Sequence, residues 1–354
     1  MNILITGVGG PTPRSFAIAL KQIGTQFSDV TLIGTDSNPL AYGLYQKELF
    51  EHTYLVPKAD APDYWDRVQE IVDKHAITYA VILPEREVLE WSRVESENKL
   101  PCKALLPDLR LAEILVDKGK MTELLNPLRL VPKSVSFSPK EADFDRIFDT
   151  LGNEFWVRGT SGTSGLGSLK VDSQESLRNW IQINPDVREF IGSSYLPGRN
   201  LACKLLYFNG KLLRSACAER VNYIMSGVAP SGITGNTSFG RLLNEPHLTE
   251  LSVQAMDLLF KHTGASKHGF FTVDFKEDAD GNPMITEVNV RHVAFTQCFA
   301  AGGANFAEDT LRLLQGDHSF DHSYRYYKFE EGLIFLRDVD EKPIIMREKD
   351  IKQS

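Results

Sequence analysis

The chain has 354 residues, which at about 150 per domain suggests two or three domains. Its 42% hydrophobic and 24% charged residues can bury a sizeable core, and its net charge of −8 speaks against a general nucleic-acid binder, which carries a basic surplus. Four cysteines without a CxxC pair argue against a disulfide framework, and no apolar run or basic leader marks a membrane or secreted protein, so the expectation is a cytoplasmic chain with reduced thiols.

Residues 2–6 read as a buried parallel strand, Gly7-Val8-Gly9-Gly10 as a turn, and Ser15 as the cap of a helix carrying Phe16, Leu20 and Ile23 that stops at Gly24. A strand at 30–34 ending at Asp36, a helix at 64–75, a strand at 79–83 and a helix at 85–95 continue the alternation that builds a parallel sheet. The glycine turn lacks the third spaced glycine of GxGxxG and runs into Pro11 and Pro13. A nicotinamide-dependent oxidoreductase would rest on those glycines alone, and a plain βα turn with an anion at the helix start is the better reading. A helix follows over 109–125, interrupted by Gly119 and closed by Asn126-Pro127; then come a strand, a helix ending near Leu151, and a strand at 155–158.

The run 159–168 holds only glycine, serine and threonine apart from Leu166. Such tracts often link domains. Here a strand enters at Arg158 and another leaves as Leu169-Lys170-Val171, which favours a hairpin whose glycines admit a polyphosphate and whose amides and hydroxyls donate to it. No Gly-Lys-Ser/Thr closes the run, so it is not a Walker A loop.

Residues 271–276 and 283–291 form the second constellation, joined through Asp280-Gly281, a hairpin signal. Strand alternation puts Glu287, Asn289 and Arg291 on one face and lets Asp274 meet Glu287 across the ladder. Two carboxylates and a neutral oxygen suit Mg²⁺, which fills its shell with waters and substrate phosphates. An ordinary salt-bridged, solvent-facing hairpin is the plainer alternative. His292 alternates away from that face, so packing in the core or at the surface is expected of it rather than ligation, and Cys298, with no base nearby, is expected in the core.

These residues resemble the ATP-grasp superfamily, in a single copy similar to one half of the carbamoyl-phosphate synthase large subunit, from the opening strand to about Gly316. The resemblance implies an α/β chain, α+β in its ATP-binding part: a Rossmann-like domain over 1–107, a small lid subdomain over 108–190 with its loop at 159–168, and a C-terminal subdomain over 191–354 bearing the metal site. It implies that Asp274, Glu287 and Asn289 hold one or two Mg²⁺, with Mn²⁺ as an alternative, and that Arg291 closes the Glu-x-Asn-x-Arg signature. Lys118, after Asp117, and Arg158 would reach ATP phosphates. Gly159, Thr160, Ser161, Gly162, Thr163, Ser164 and Gly165 would cover them, with Lys170 adding charge at the loop's base. Tyr195-Leu196-Pro197-Gly198 resembles the turn after the adenine strand. The family's glutamate before that turn is replaced by Ser194, with Glu189 as its counterpart, and Asn200 stands where an acidic residue contacts ribose.

The implied activity is ligation of a small-molecule carboxylate to an amine, or to a thiol, through an acyl phosphate, releasing ADP and phosphate. Arg291 is expected to hold the acid or the transferring phosphoryl group, with Arg220 as a further candidate for that task. The second copy needed to make carbamoyl phosphate is absent from this sequence. The alternative is a nucleotide-binding protein with weak or regulatory activity. No nucleic acid or membrane partner is expected. Two strands after Gly316 could extend a sheet or form a homodimer contact.

Overall fold

Short, fully buried strands open the chain. In this computed structural model, which describes residues 1–160, 168–228, 235–338, 344–347 and 349, the first sheet holds β1 (Asn2–Thr6), β2 (Thr31–Asp36), β3 (His52–Leu55), β4 (Tyr79–Val81) and β5 (Lys103–Ala104). All pairs are parallel and the order is β3-β2-β1-β4-β5. Ile3, Ile5, Leu32 and Ile33 have no exposed surface, as strands covered by helices on both faces require. The covering helices are α1 (Pro11–Ile18), extended by a π-helical turn over Ala19–Ile23, then α2 (Tyr64–His75) and α3 (Glu85–Ser96). The strand order reverses between β1 and β4, and in open parallel sheets ligands bind at the carboxyl ends of the strands beside such a switch point.

Two expectations for this region need correction. Ser15 does not cap the first helix, which begins at Pro11; it lies inside α1, buried, and its hydroxyl accepts the Gln297 amide at 2.9 Å. Proline starts the helix because its missing N–H costs nothing in the first turn. The long helix over 109–125 is two helices, α4 (Leu109–Val116) and α5 (Lys118–Leu125), and the break is at Asp117 rather than Gly119. Asp117 is extended, and its carboxylate accepts from the Gly119 and Lys120 amides at 3.0 and 3.1 Å, an N-cap strong enough to restart the helix.

Next come β6 (Ser134–Phe137), α6 (Phe144–Leu151), β7 (Phe155–Gly159), β8 (Leu169–Val171), α7 (Gln174–Ile183) and β9 (Phe190–Ser194). Their strands form an antiparallel sheet in the order β6-β9-β7-β8, with β7 and β8 the expected hairpin. Its core of Phe137, Ile147, Phe155, Leu177 and Phe190 is confined to this segment.

The chain then enters the largest sheet through 195–199. Its elements are β10 (Asn200–Phe208), β11 (Lys211–Tyr223), β12 (Thr237–Leu243), α8 (Pro246–Thr263), β13 (Gly269–Glu277), β14 (Pro283–Asn289), α9 (Thr296–Ala301), α10 (Phe306–Gln315), β15 (Arg325–Tyr326), β16 (Leu333–Leu336) and β17 (Ile344–Arg347). The order is β14-β13-β10-β11-β12-β16-β17, with β15 paired to β11. The two late strands therefore extend this sheet. Helices α4 and α5 lie against α8 and β14, which carries Lys118 to the carboxylate strand. No helix among the described residues is long and apolar enough to cross a membrane.

Candidate active site

β13 and β14 pair antiparallel with Asp274 opposite Glu287 and Thr272 opposite Asn289. A bulge after Asp274 leaves Thr286 without a cross-strand partner, and its hydroxyl donates to the Asp274 carbonyl at 3.2 Å. On the other side β10 sets Ala202 against Asp274 and Lys204 against Thr272. Ala218 of β11 faces Ala202, so Arg220, two residues on, shares this face. Four adjacent strands thus deliver Asp274, Glu287, Asn289, Lys204 and Arg220 to one surface.

Contacts there are charged and largely buried. Arg220 Nη1 stands 3.4 Å from Asp274 Oδ2, and Asn289 Nδ2 donates to the same oxygen at 3.2 Å. Asp274 Oδ1 is buried without any partner. Lys118 Nζ lies 3.1 Å from Glu287 Oε1. The Lys118 amide donates to the Thr160 carbonyl at 3.0 Å, which stitches the start of α5 to the end of β7. Arg158 reaches across from β7 and donates through Nη2 to the Thr286 carbonyl, while its Nε is buried and unpartnered.

The two carboxyls are pushed apart. Burial raises Asp274 to about 6, helped by Glu287 and opposed by Arg220, Lys204 and Asn289. Burial acts on Glu287 too, but Lys118, Arg158 and Arg291 outweigh it and hold that carboxyl below its usual range. Burial also lowers Arg158, against the pull of Glu287 and Asp274.

The remaining expected residues fall around this cluster. Gly159 ends β7, and the Thr160 amide donates to the Glu189 carbonyl at 3.0 Å. Ser161, Gly162, Thr163, Ser164 and Gly165 lie outside the described residues. The Glu189 side chain is exposed, and Asn200 is half-buried at the first position of β10, opposite Lys276. Lys170, opposite Trp156 in the β7–β8 hairpin, pairs with Glu154 at 3.0 Å and sits 4.2 Å above the Tyr195 ring. Arg291 comes close to the cluster but is already engaged. Its Nη2 is 3.0 Å from Glu85 Oε1 and its Nη1 donates to the His292 carbonyl, while Nε is buried without a partner.

Glu85 and Lys204 were not singled out by the sequence. Glu85 begins α3, which follows β4 of the first sheet, so its pair with Arg291 links that sheet to the end of the carboxylate strand. Lys204 has no exposed surface; its Nζ donates to Thr296 Oγ1 at 3.0 Å and lies 4.8 to 5.6 Å from the ring centres of Phe299, Phe295 and Phe270. Burial draws Lys204 down to about 7, against Cys298 and Asp274. A lone lysine inside an apolar strand was the one available signal. His292 stacks on Phe270 at 3.6 Å and is buried, the core rather than the surface alternative, and burial pushes the Cys298 thiol, in the core as expected, up to about 12.

No protein-family model matches this chain, and no curated protein matches it. Solved structures do. N5-carboxyaminoimidazole synthetase from Staphylococcus aureus, complexed with ADP, superposes with a TM-score of 0.70 at 14% identity over 95% of this chain and 81% of its own. The biotin carboxylase domain of 2-oxoglutarate carboxylase from Hydrogenobacter thermophilus, with MgADP and bicarbonate, gives 0.69 at 14% identity over 95% and 74%. An L-amino acid ligase from Bacillus licheniformis gives 0.64 at 14% identity over 94% and 78%.

Proposed function

From the ATP-grasp fold that this chain adopts, we propose that it is an ATP-dependent ligase joining a small-molecule carboxylate to an amine, or to a thiol, with release of ADP and phosphate. One observation carries the reading: two facing carboxylates, Asp274 and Glu287, ringed by Lys118, Arg158 and Arg220 on a buried sheet face. The unpartnered Asp274 Oδ1 fits a hard cation, and the Asn289 amide, with Nδ2 engaged, keeps its oxygen as a third ligand. Among the described residues no three His, Cys, Asp or Glu side chains cluster, which suits Mg²⁺ or Mn²⁺ completing its shell with phosphates and water rather than a closed protein cage. When bound, one or two such ions neutralise the phosphates.

Phosphoryl transfer asks mostly for positioning and charge. Lys118 and Arg158 would take the phosphate oxygens, Arg158 through its free Nε. Residues 159–168 would exclude water from the acyl phosphate. Glu189 and Asn200 would meet the nucleoside, and Arg220 and Arg291 the acid substrate. In this reading 1–107 and 191–354 bound the acid's cleft, 108–190 supplies the cover, and the protein works in the cytoplasm.

The test is ADP release over a matrix of carboxylates crossed with amines. The Asp274→Ala/Glu287→Ala double variant should lose turnover and keep its circular dichroism; a variant that still releases ADP at the normal rate would remove the metal assignment. A second reading, nucleotide binding without ligation, draws on the Arg291–Glu85 pair, which occupies an arginine the acid would need. Mg·ATP binding without ADP release from any pair in the matrix would favour it.

A further inference from the structure

Just beyond the end of β14, two neighbouring side chains are each one hydrogen bond short. A cavity with about 20 Å³ of room for a water's centre lies between the first sheet, at Ala80 and Val81, and the end of the carboxylate strand, at Val290. The polar side chains that line it are those of Arg291, His292 and Thr310. Arg291 Nε and His292 Nδ1 are both buried and have no partner among the described residues. Arg291 Nη1 donates to the His292 carbonyl at 3.1 Å, which holds the guanidinium against the next residue's backbone.

The hydrogen bonds around His292 fix which ring nitrogen carries the proton. The ring is buried, stacked 3.6 Å from Phe270 and edge-on to Phe16 at 4.9 Å. Burial, with the Lys204 charge adding to it, holds the imidazole well below its ordinary value, so the ring is neutral and has one N–H. Thr310 Oγ1 gives its single proton to the Phe306 carbonyl at 2.8 Å, and can therefore only accept from His292 Nε2 at 3.3 Å. The proton is on Nε2, which leaves Nδ1 an acceptor without a donor. Arg291 Nε–H is a donor without an acceptor. A water can join the two, since it accepts from one and donates to the other, and it needs only about 10–15 Å³ of such room.

We propose that one ordered water sits in this cavity, accepting from Arg291 Nε–H and donating to His292 Nδ1, and that His292 is thereby a positioning residue for Arg291. Glu85 then holds the guanidinium at Nη2, the His292 carbonyl holds it at Nη1 and the water at Nε, and its remaining N–H groups meet the acid in a fixed orientation. A fork pinned in this way loses little freedom when a carboxylate binds. The service to the acid rests on the ligase reading above; the water and the tautomer do not.

Crystals of the full chain should show a density peak within hydrogen-bonding distance of both atoms, and nitrogen NMR of histidine-labelled protein should place the His292 proton on Nε2. Two variants separate bridging from packing. His292→Asn sets an amide oxygen near the place of Nδ1, whereas His292→Gln reaches toward Thr310 instead, and both lose the stack on Phe270. Thermal melts establish that they are folded; should either not be, the wild-type density and tautomer still decide. Exchange of the Arg291 Nε–H with solvent should be about tenfold faster in His292→Gln than in wild type, and slow again in His292→Asn. The KM of an acid that supports ADP release should follow the same order, with kcat little changed. A dry cavity, a proton on Nδ1, or exchange and KM that are equal in the two folded variants would each overturn the proposal. If no carboxylate–amine pair releases ADP while water, tautomer and exchange are as stated, the ligase reading fails and the water site stands.

Discussion

Asp274 is the most informative residue to perturb, because its proton and the metal compete for one carboxylate. Burial first, then Glu287, lift it from an ordinary 3.8 to about 6. The sign follows from linkage. A carboxyl raised in the folded state binds its proton more tightly there than in the unfolded chain, so the metal-free protein is favoured at low pH. The cost begins near pH 4, grows as pH rises and is complete above about 6, at about 3 kcal/mol. Asp274→Asn should therefore leave the metal-free protein more stable at pH 8, with about 3 kcal/mol as the upper figure, and the gain should vanish below pH 4. An asparagine carbonyl can still accept from Arg220 and Asn289, which limits the loss on that side. The metal follows the opposite course. At pH 5 only about one Asp274 in ten is ionised, so Mn²⁺ affinity measured by calorimetry should fall about tenfold between pH 7.5 and 5. In Asp274→Asn it should be weak and nearly flat with pH. Urea unfolding at both pH values supplies the stabilities. Equal stability of the two proteins at pH 8, or a wild-type Mn²⁺ affinity unchanged at pH 5, would refute the argument.

Lys118→Met should deprive Glu287 of its nearest cation, raise the KM for Mg·ATP by about tenfold or more, and leave the fold intact in thermal melts. Glu85→Gln releases Arg291 from its partner; urea unfolding should show a loss of about 1 to 3 kcal/mol, since a partly buried charge is left behind. Lys204→Met should be at least as stable as wild type at pH 7. Lys204 is lowered in the folded state, so its cost grows as pH falls from about 10 toward 7, and the two unfolding curves should converge at high pH.

The sequence was most legible where structure is local. Alternation and the Asp280-Gly281 turn announce the β13–β14 hairpin, while a bulge after Asp274 that the sequence does not announce sets Asp274 opposite Glu287 instead of Thr286. The βα alternation likewise yields the first sheet. What stayed hidden depends on contacts far apart in the chain. The central strands β10 and β11 are almost continuously buried, and an apolar run without alternation does not declare which strand it will sit beside. The pairing of Glu85 with Arg291 joins residues 206 apart, and nothing near either position announces it. Asp117 shows a subtler failure: glycine looks like the helix breaker, yet the neighbouring aspartate has the oxygen that can cap.

Cut near residue 107, this chain would not give two foldable halves. Val88 and Trp91 from the first sheet's helices share one apolar cluster with Leu111, Phe271 and Val288, and Val8 and Leu20 share another with Leu311 and Leu314. The Glu308 carboxylate accepts the amides of Thr25 and Gln26 from the far end of the sequence. Either fragment would carry a bare hydrophobic seam and unpaired polar groups into water. The β6–β9 sheet is different, since its core is its own. Mechanically the protein is one large block with a single smaller piece hung on it, whatever the sequence order suggests. A graft or truncation that respects that seam has a chance to fold, and one that follows the count of residues does not.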